Sequence, residues 1–478
     1  MLEFLNIESG LLIIFFGYMF YMSFISFWSD SASGINYYSL GNRTFSVFAL
    51  SSTIIATWIS GSGLVLDLNE FKKDGFIYFI ESLGMCANLA IVAWIFVPKM
   101  QNFLGKTSIA SFMDEKYGGI VGNIVCILGV VTSMGGIGIQ FKIMGETLCY
   151  FFSLETGQCL KWTILFSSIC VILYTSAGGI KNVVRTDIIQ TICFSIALFV
   201  GIGCFNGSKI PDQEEYNIYK PSFEIFTNMS PEKLFSFFLM MGYFMIPGFK
   251  PHVIQRVSMA KNLEQAKKSY YMASIALVIV LILSCYLSYL LSTTNSIAKN
   301  EPLLKSLVNL YDIPFVKGIF VIGIISMCMS TADSNLNITA VLIANDFFLF
   351  KKLSSLKKIK TARLLTVFIG LLSIIYSIQE IELLEIILLS GTFYLPVVSV
   401  PIILSILGFK MSPRCCLVTM IASIFFVMIS KFIIKVSFDI NFIGMILNLL
   451  ILLSFHYIVE KWELLRWFGI RSKLKEKS

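Results

Sequence analysis

Charge is scarce in this sequence. Of 478 residues, 14% are Asp, Glu, Lys or Arg, against about a quarter in soluble globular chains. Histidine is nearly missing, with His252 and His456 the only two. No metal-ligand or nucleophile spacing occurs, so enzymatic chemistry is not expected. The eleven cysteines lie mostly inside apolar runs without paired loop spacing, which excludes a disulfide framework. Strict alternation of polar and apolar residues is also missing, which excludes a transmembrane β-barrel.

Long apolar runs fill the space instead. Hydrophobic residues make up 56% of the chain, and many runs reach the roughly 18 residues that a spanning helix needs. Thirteen candidate spans follow, at 10–28, 44–66, 75–97, 120–152, 160–177, 184–205, 231–251, 269–292, 314–350, 361–379, 383–408, 414–432 and 440–458. The reading is an all-α polytopic membrane protein whose surroundings are the lipid bilayer. The first run has acidic rather than basic flanks, at Glu3 and Glu8, so it reads as a retained helix and not a signal peptide. No stretch is long and polar enough for a soluble domain of useful size.

The net charge of +8 is spread as membrane orientation requires, not as a nucleic-acid surface. With a cytoplasmic C-terminus, 24 of the 37 Lys and Arg fall on the inner side. They include Arg43, Arg256, the block "KKLSSLKKIK" and the tail. The N-terminus is then outside. No nucleic-acid partner is expected.

Polarity within the spans is concentrated. In the ninth, Ser326, Ser330, Asp333, Ser334 and Asn337 recur at helical spacing and form one stripe. Hydroxyls in pairs commonly join helices, but a carboxylate at membrane depth costs about 2.5–3.5 kcal/mol on insertion scales and marks function by default. The second span contains "ATWISGSGL", Ala56 to Leu64, where two glycines among hydroxyls fit either local unwinding or close helix packing. The seventh contains "GYFMIPGFKP", interrupted by Pro247, Gly248 and Pro251. Interrupted helices five spans apart predict an inverted repeat, spans two to six against seven to eleven. Asp187, at the start of the sixth span, reads first as a helix cap, with Arg185 close enough to neutralise it.

Five stretches, in order along the chain, resemble one family. They are "YYSLGNRTFSVFALSSTIIATWISGSG", "VPKMQNFLGKTSIASFMDEKYGG", "LYTSAGGIKNVVRTDIIQ", "PHVIQRVSMAKNLEQAKKS" and "SMCMSTADSNLN…IANDFF". Together they resemble the sodium:solute symporters, with the fourth most similar to the sodium/proline–pantothenate permease branch. The resemblance implies a LeuT-type core of ten helices in a 5+5 inverted repeat. It implies Na+ as the coupling ion, no organic cofactor and a small-molecule solute, carried by alternating access across a bacterial inner (plasma) membrane.

The main sodium site implied is built from Ala56, Ile59, Met327, Ser330 and Thr331. A second ion would fall among Asp187, Ser330, Asp333 and Ser334, where Asp333 replaces a hydroxyl of some relatives and leaves the ion count open between sodium and a proton. The solute would meet Ser60, Gly61, Ser62, Glu81, Gln140, Tyr243, Met245, Phe393 and Tyr394. An amino acid such as proline, or another small carboxylate-bearing solute, is the expected cargo. A transporter-like solute sensor and a proton-coupled permease are the alternatives. The segments expected are 1–43 (first helix and inner loop), 44–205 (first repeat), 206–230 (outer loop), 231–408 (second repeat), 409–458 (two peripheral helices) and 459–478 (basic tail). Lys250 is read first as snorkelling to the inner surface, with binding of an acidic substrate as the alternative.

Overall fold

The computed structural model describes residues 15–25, 34–153, 157–204, 229–292, 302–309, 313–379, 391–433 and 440–460. Most of the outer loop and nearly all of the basic tail expected above lie outside the described residues. Every regular element described is helical.

In chain order the helices are α1 (Phe15–Ile25), α2 (Ile35–Leu40), α3 (Val47–Trp58), α4 (Gly61–Asp74), α5 (Phe76–Ile91), α6 (Ile109–Tyr117), α7 (Gly119–Phe151), α8 (Gln158–Ala177) and α9 (Ile180–Gly203). They continue as α10 (Pro231–Met245), α11 (Pro251–Ser258), α12 (Leu263–Ser292), α13 (Leu303–Val308), α14 (Pro314–Asp346) and α15 (Ser355–Ser377). The last three are α16 (Leu395–Leu407), α17 (Pro413–Ile433) and α18 (Ile440–Ile458).

Local sequence sets several of these starts. Ser46, Ser108, Ser230 and Ser412 each accept a first-turn N–H through the side chain, and Pro231 and Pro413 follow two of them. Among the described residues nine helices are long and apolar enough to cross a bilayer, and α3 with α4 makes a tenth, bent by 55°. The other three expected spans correspond to the shorter helices α1, α10 and α16. Large apolar side chains such as Phe20, Trp162, Phe199 and Ile375 remain exposed on the outside of the bundle. Water would penalise such a surface, and lipid does not.

The packing carries the symmetry that the interrupted spans suggested. Helix α3 packs on α12, and its counterpart α10 packs on α5. Likewise α7 packs on α15, and α14 on α8. The pairs α7–α14, α5–α12 and α8–α15 map onto themselves. This is the pattern of a 5+5 inverted repeat. Helix α14 lies at the centre, with most of its length buried against α9, α7 and α15. A Cβ on Gly323 would fall 2.2 Å from that of Ala197, so only glycine lets α14 approach α9 this closely.

Candidate functional site

The helix formed by α3 and α4 breaks at Ile59 and Ser60, both in extended conformation. Ser60 then caps α4, its Oγ accepting from Gly63 N at 2.9 Å. Local unwinding, one of the two readings of "ATWISGSGL", is therefore what the backbone does. Close packing holds there as well, since a Cβ on Gly61 would fall 2.1 Å from Cys328 Sγ. Gln140 of α7 fastens the far side, donating to Ser62 Oγ at 2.8 Å.

The end of α3 leaves carbonyls without helical partners. Two hydroxyls of α14 meet one of them, Ala56 O, and also reach Met327 O of their own helix. Ser330 Oγ donates to Ala56 O at 2.8 Å and to Met327 O at 3.0 Å. Thr331 Oγ1 lies 3.4 Å from Ala56 O and 3.2 Å from Met327 O. Four of the five oxygens expected to hold sodium are thus gathered at one buried point. Hydroxyls rotate, so these two can turn their lone pairs toward a cation held by the same carbonyls. An all-oxygen set of this kind suits a small hard cation.

A cavity of about 70 Å³ opens beside the break. Ile59, Ser60 and Met327 line it, with Trp58, Asp67 and Leu277 among the other walls. The remaining expected solute contacts lie elsewhere. Glu81, Tyr243, Met245 and Phe393 are half-buried and do not line this cavity. Met245 packs against Gly84 of α5. Gly61, Ser62 and Gln140 belong to the fastening of the break.

Three more members of the α14 stripe find partners on other helices, whereas buried Asn337 finds none for its side-chain amide among the described residues. Ser326 Oγ meets Tyr18 OH of α1 at 2.7 Å. Asp333 Oδ2 accepts from Tyr174 OH of α8 at 2.8 Å and from Thr186 Oγ1 of α9 at 3.3 Å. Ser334 Oγ accepts from Arg256 of α11 at 2.8 Å.

Arg256 was expected as a loop cation facing the inner surface. It is instead fully buried. Its Nη2 also donates to Thr57 Oγ1 at 3.3 Å and stands 3.7 Å from Asp187 Oδ2, which accepts from Thr53 Oγ1 as well. Asp187 does not cap α9, because that helix already starts at Ile180. Arg185 does not neutralise it either, since Arg185 is exposed on another face of the helix. One signal could have found Arg256: two intramembrane carboxylates require a counter-charge, and "PHVIQRVS" carries the only arginine in the interrupted half-helix.

The second break, between α10 and α11, is closed by the protein itself. Asn88 Nδ2 donates to Phe244 O at 3.0 Å and to Ile246 O at 3.1 Å. Tyr394 OH donates to Phe249 O at 2.9 Å, and Ser399 Oγ to Gly248 O at 2.7 Å. Tyr394 is thus a clamp on this break, away from the cavity. Phe249 takes a left-handed φ of 43°, a conformation rare outside glycine. Lys250, half-buried, stands at the N-cap of α11.

A bundle with two broken half-helices, one of them exposing carbonyls to hydroxyls of a central helix, defines a secondary transporter class. The comparisons with known proteins agree. The family model described as Sodium:solute symporter family matches residues 37–423. The chain is 26% identical over 385 residues to the sodium/sialic acid symporter NanT of Aliivibrio fischeri, covering 72% of this chain and 71% of that one. It is 24% identical over 356 residues to the sodium-dependent multivitamin transporter of Oryctolagus cuniculus, covering 70% of this chain but 55% of that one. A solved structure of a sodium-coupled sialic acid symporter, substrate-bound and outward-open, shares the fold with a TM-score of 0.75 at 17% identity over 92% of this chain and 95% of that one. The protein belongs to the sodium:solute symporter family. Its fold is the LeuT-type helical core, and sodium is the coupling ion of its class.

Proposed function

We propose that this chain carries a small organic solute across the membrane together with sodium, by alternating access. The observation that carries the reading is the meeting of Ser330 and Thr331 with the carbonyls of Ala56 and Met327 at the break. On this reading sodium binds there with Ile59 O as the fifth ligand. Binding completes the solute cavity alongside, whose wall includes Ile59 and Met327. One sodium crossing 100 mV releases about 2.3 kcal/mol, enough to drive accumulation of a neutral solute roughly fiftyfold.

Asp187 and Asp333 each keep one oxygen, Oδ1, without a hydrogen-bond partner among the described residues. Two carboxylates against one guanidinium leave one negative charge in excess, which supports a further monovalent cation or proton here. Of the four expected ligands, Ser334 is engaged by Arg256 and Ser330 by the main site, so Asp187 and Asp333 would carry that second site. The segment limits and the orientation, N-terminus outside in a bacterial inner membrane, are part of the same proposal. An amino acid such as proline, or another small carboxylate-bearing compound, is the cargo that the motif resemblance supports.

The test is radiolabelled sodium influx into proteoliposomes, with a panel of amino acids and small carboxylates added in turn. Influx that depends on one of them supports symport. Solute binding without any influx points to the sensor reading, and solute uptake driven by a pH gradient without sodium points to a proton-coupled permease.

A further inference from the structure

The cavity beside the first break has one charged side chain on its described wall, and it is a carboxylate. Asp67 projects from α4, seven residues beyond Ser60 and so about 10 Å along the helix. Tyr78 OH of α5 donates to its Oδ1 at 2.7 Å. Among the described residues no lysine or arginine lines the cavity. Lys73, farther along α4, stands 3.8 Å from Glu70 and 3.7 Å from Asp74. A carboxylate at this depth is costly unless it takes up a proton or a cation is brought to it.

The other walls suit the same visitor. Trp58 offers an indole face or edge at the break, and aromatic faces attract ammonium groups. Leu64, Leu277 and Leu281 supply apolar surface for the carbon frame. A solute carboxylate, in contrast, would find no basic side chain among the described residues here. The N-terminus of α4, the other place for an anion, already has Ser60 Oγ on Gly63 N and Gln140 Oε1 at 3.4 Å from Ser62 N.

Resting on the symport reading, we propose that Asp67 selects for solutes that carry a positively charged amine or quaternary ammonium group. Compact organic cations and amino acids fall in this class, and simple monocarboxylates and sugars do not. Asp67 is then the specificity-determining residue of the cavity, and Tyr78 orients its carboxylate.

Purified protein in saturating sodium would be titrated with matched pairs and its thermal unfolding followed. Suitable pairs are choline with its neutral carbon isostere, and proline with cyclopentanecarboxylate. The amine-bearing member of at least one pair is expected to stabilise at a roughly tenfold lower concentration than its partner. Asp67→Asn should abolish that preference, while Tyr78→Phe, which keeps the carboxylate but releases it, should weaken the preference without abolishing it. Equal action of the two members in every pair, stabilisation by no amine, or a preference that survives in Asp67→Asn would overturn the proposal. The symport reading is tested apart from this, by whether sodium alone stabilises the wild-type protein.

Discussion

Arg256→Gln removes the guanidinium that stands 3.7 Å from Asp187 Oδ2. At an effective dielectric constant of about 20, a pair at that distance attracts by about 4.5 kcal/mol. Measured losses on breaking buried pairs are of the same size, about 3–5 kcal/mol, because the stranded charge stays buried. The substitution also removes donors from Ser334 and Thr57. Four proteins decide the matter: wild type, Arg256→Gln, Asp187→Asn and the double variant, compared by reversible unfolding in mixed micelles. Each single variant should lose about 3–5 kcal/mol, and the double should recover at least about 1.5 kcal/mol of their sum. A single loss within about 1 kcal/mol of wild type, or strict additivity, would refute the idea that Arg256 is the counter-charge for Asp187.

Other consequences are more local. Gly61→Ala places a methyl against Cys328 Sγ and should cost about 1–3 kcal/mol; adding Cys328→Ala should restore part of that stability, as melting curves of both variants would show. Gln140→Leu strips the fastening from Ser62 and should cost about 1–2 kcal/mol by the same measurement, with solute affinity falling alongside. Tyr394→Phe releases the carbonyl of Phe249. It should slow transport while leaving sodium affinity near wild type, because that clamp is on the second break, and comparing uptake rates with sodium titrations checks it.

What the sequence made legible follows from how far apart the cooperating residues lie. The polar stripe on α14 was readable because helical spacing alone puts Ser326, Ser330, Asp333 and Ser334 on one face. Both breaks were readable because glycine and proline mark them locally. The partners of the stripe were not, since Tyr18, Tyr174, Thr186 and Arg256 come from four other helices. Arg256 was the hardest, because a basic residue in a short inner segment is the ordinary signature of membrane orientation. Asp187 looked like a cap only because the start of α9 was placed a turn late. The expected solute contacts at Tyr243 and Met245, ahead of the second break, and at Tyr394, ahead of α16, do not line the cavity; how those helices turn against their neighbours is something spacing does not encode.

The central claim is that the hydroxyls at Ser330 and Thr331 and the carbonyls of the first break bind sodium. Thermal unfolding of the purified protein against sodium, with potassium as control, tests this without knowledge of the solute. A ligand at one hundred times its Kd stabilises the folded state by about 2.7 kcal/mol. The account predicts saturable stabilisation by sodium and none by potassium, with the midpoint raised at least about tenfold in Thr331→Ala, the loss of one charge-assisted contact. Identical curves in the two salts, or an unchanged sodium midpoint in Thr331→Ala, would contradict it.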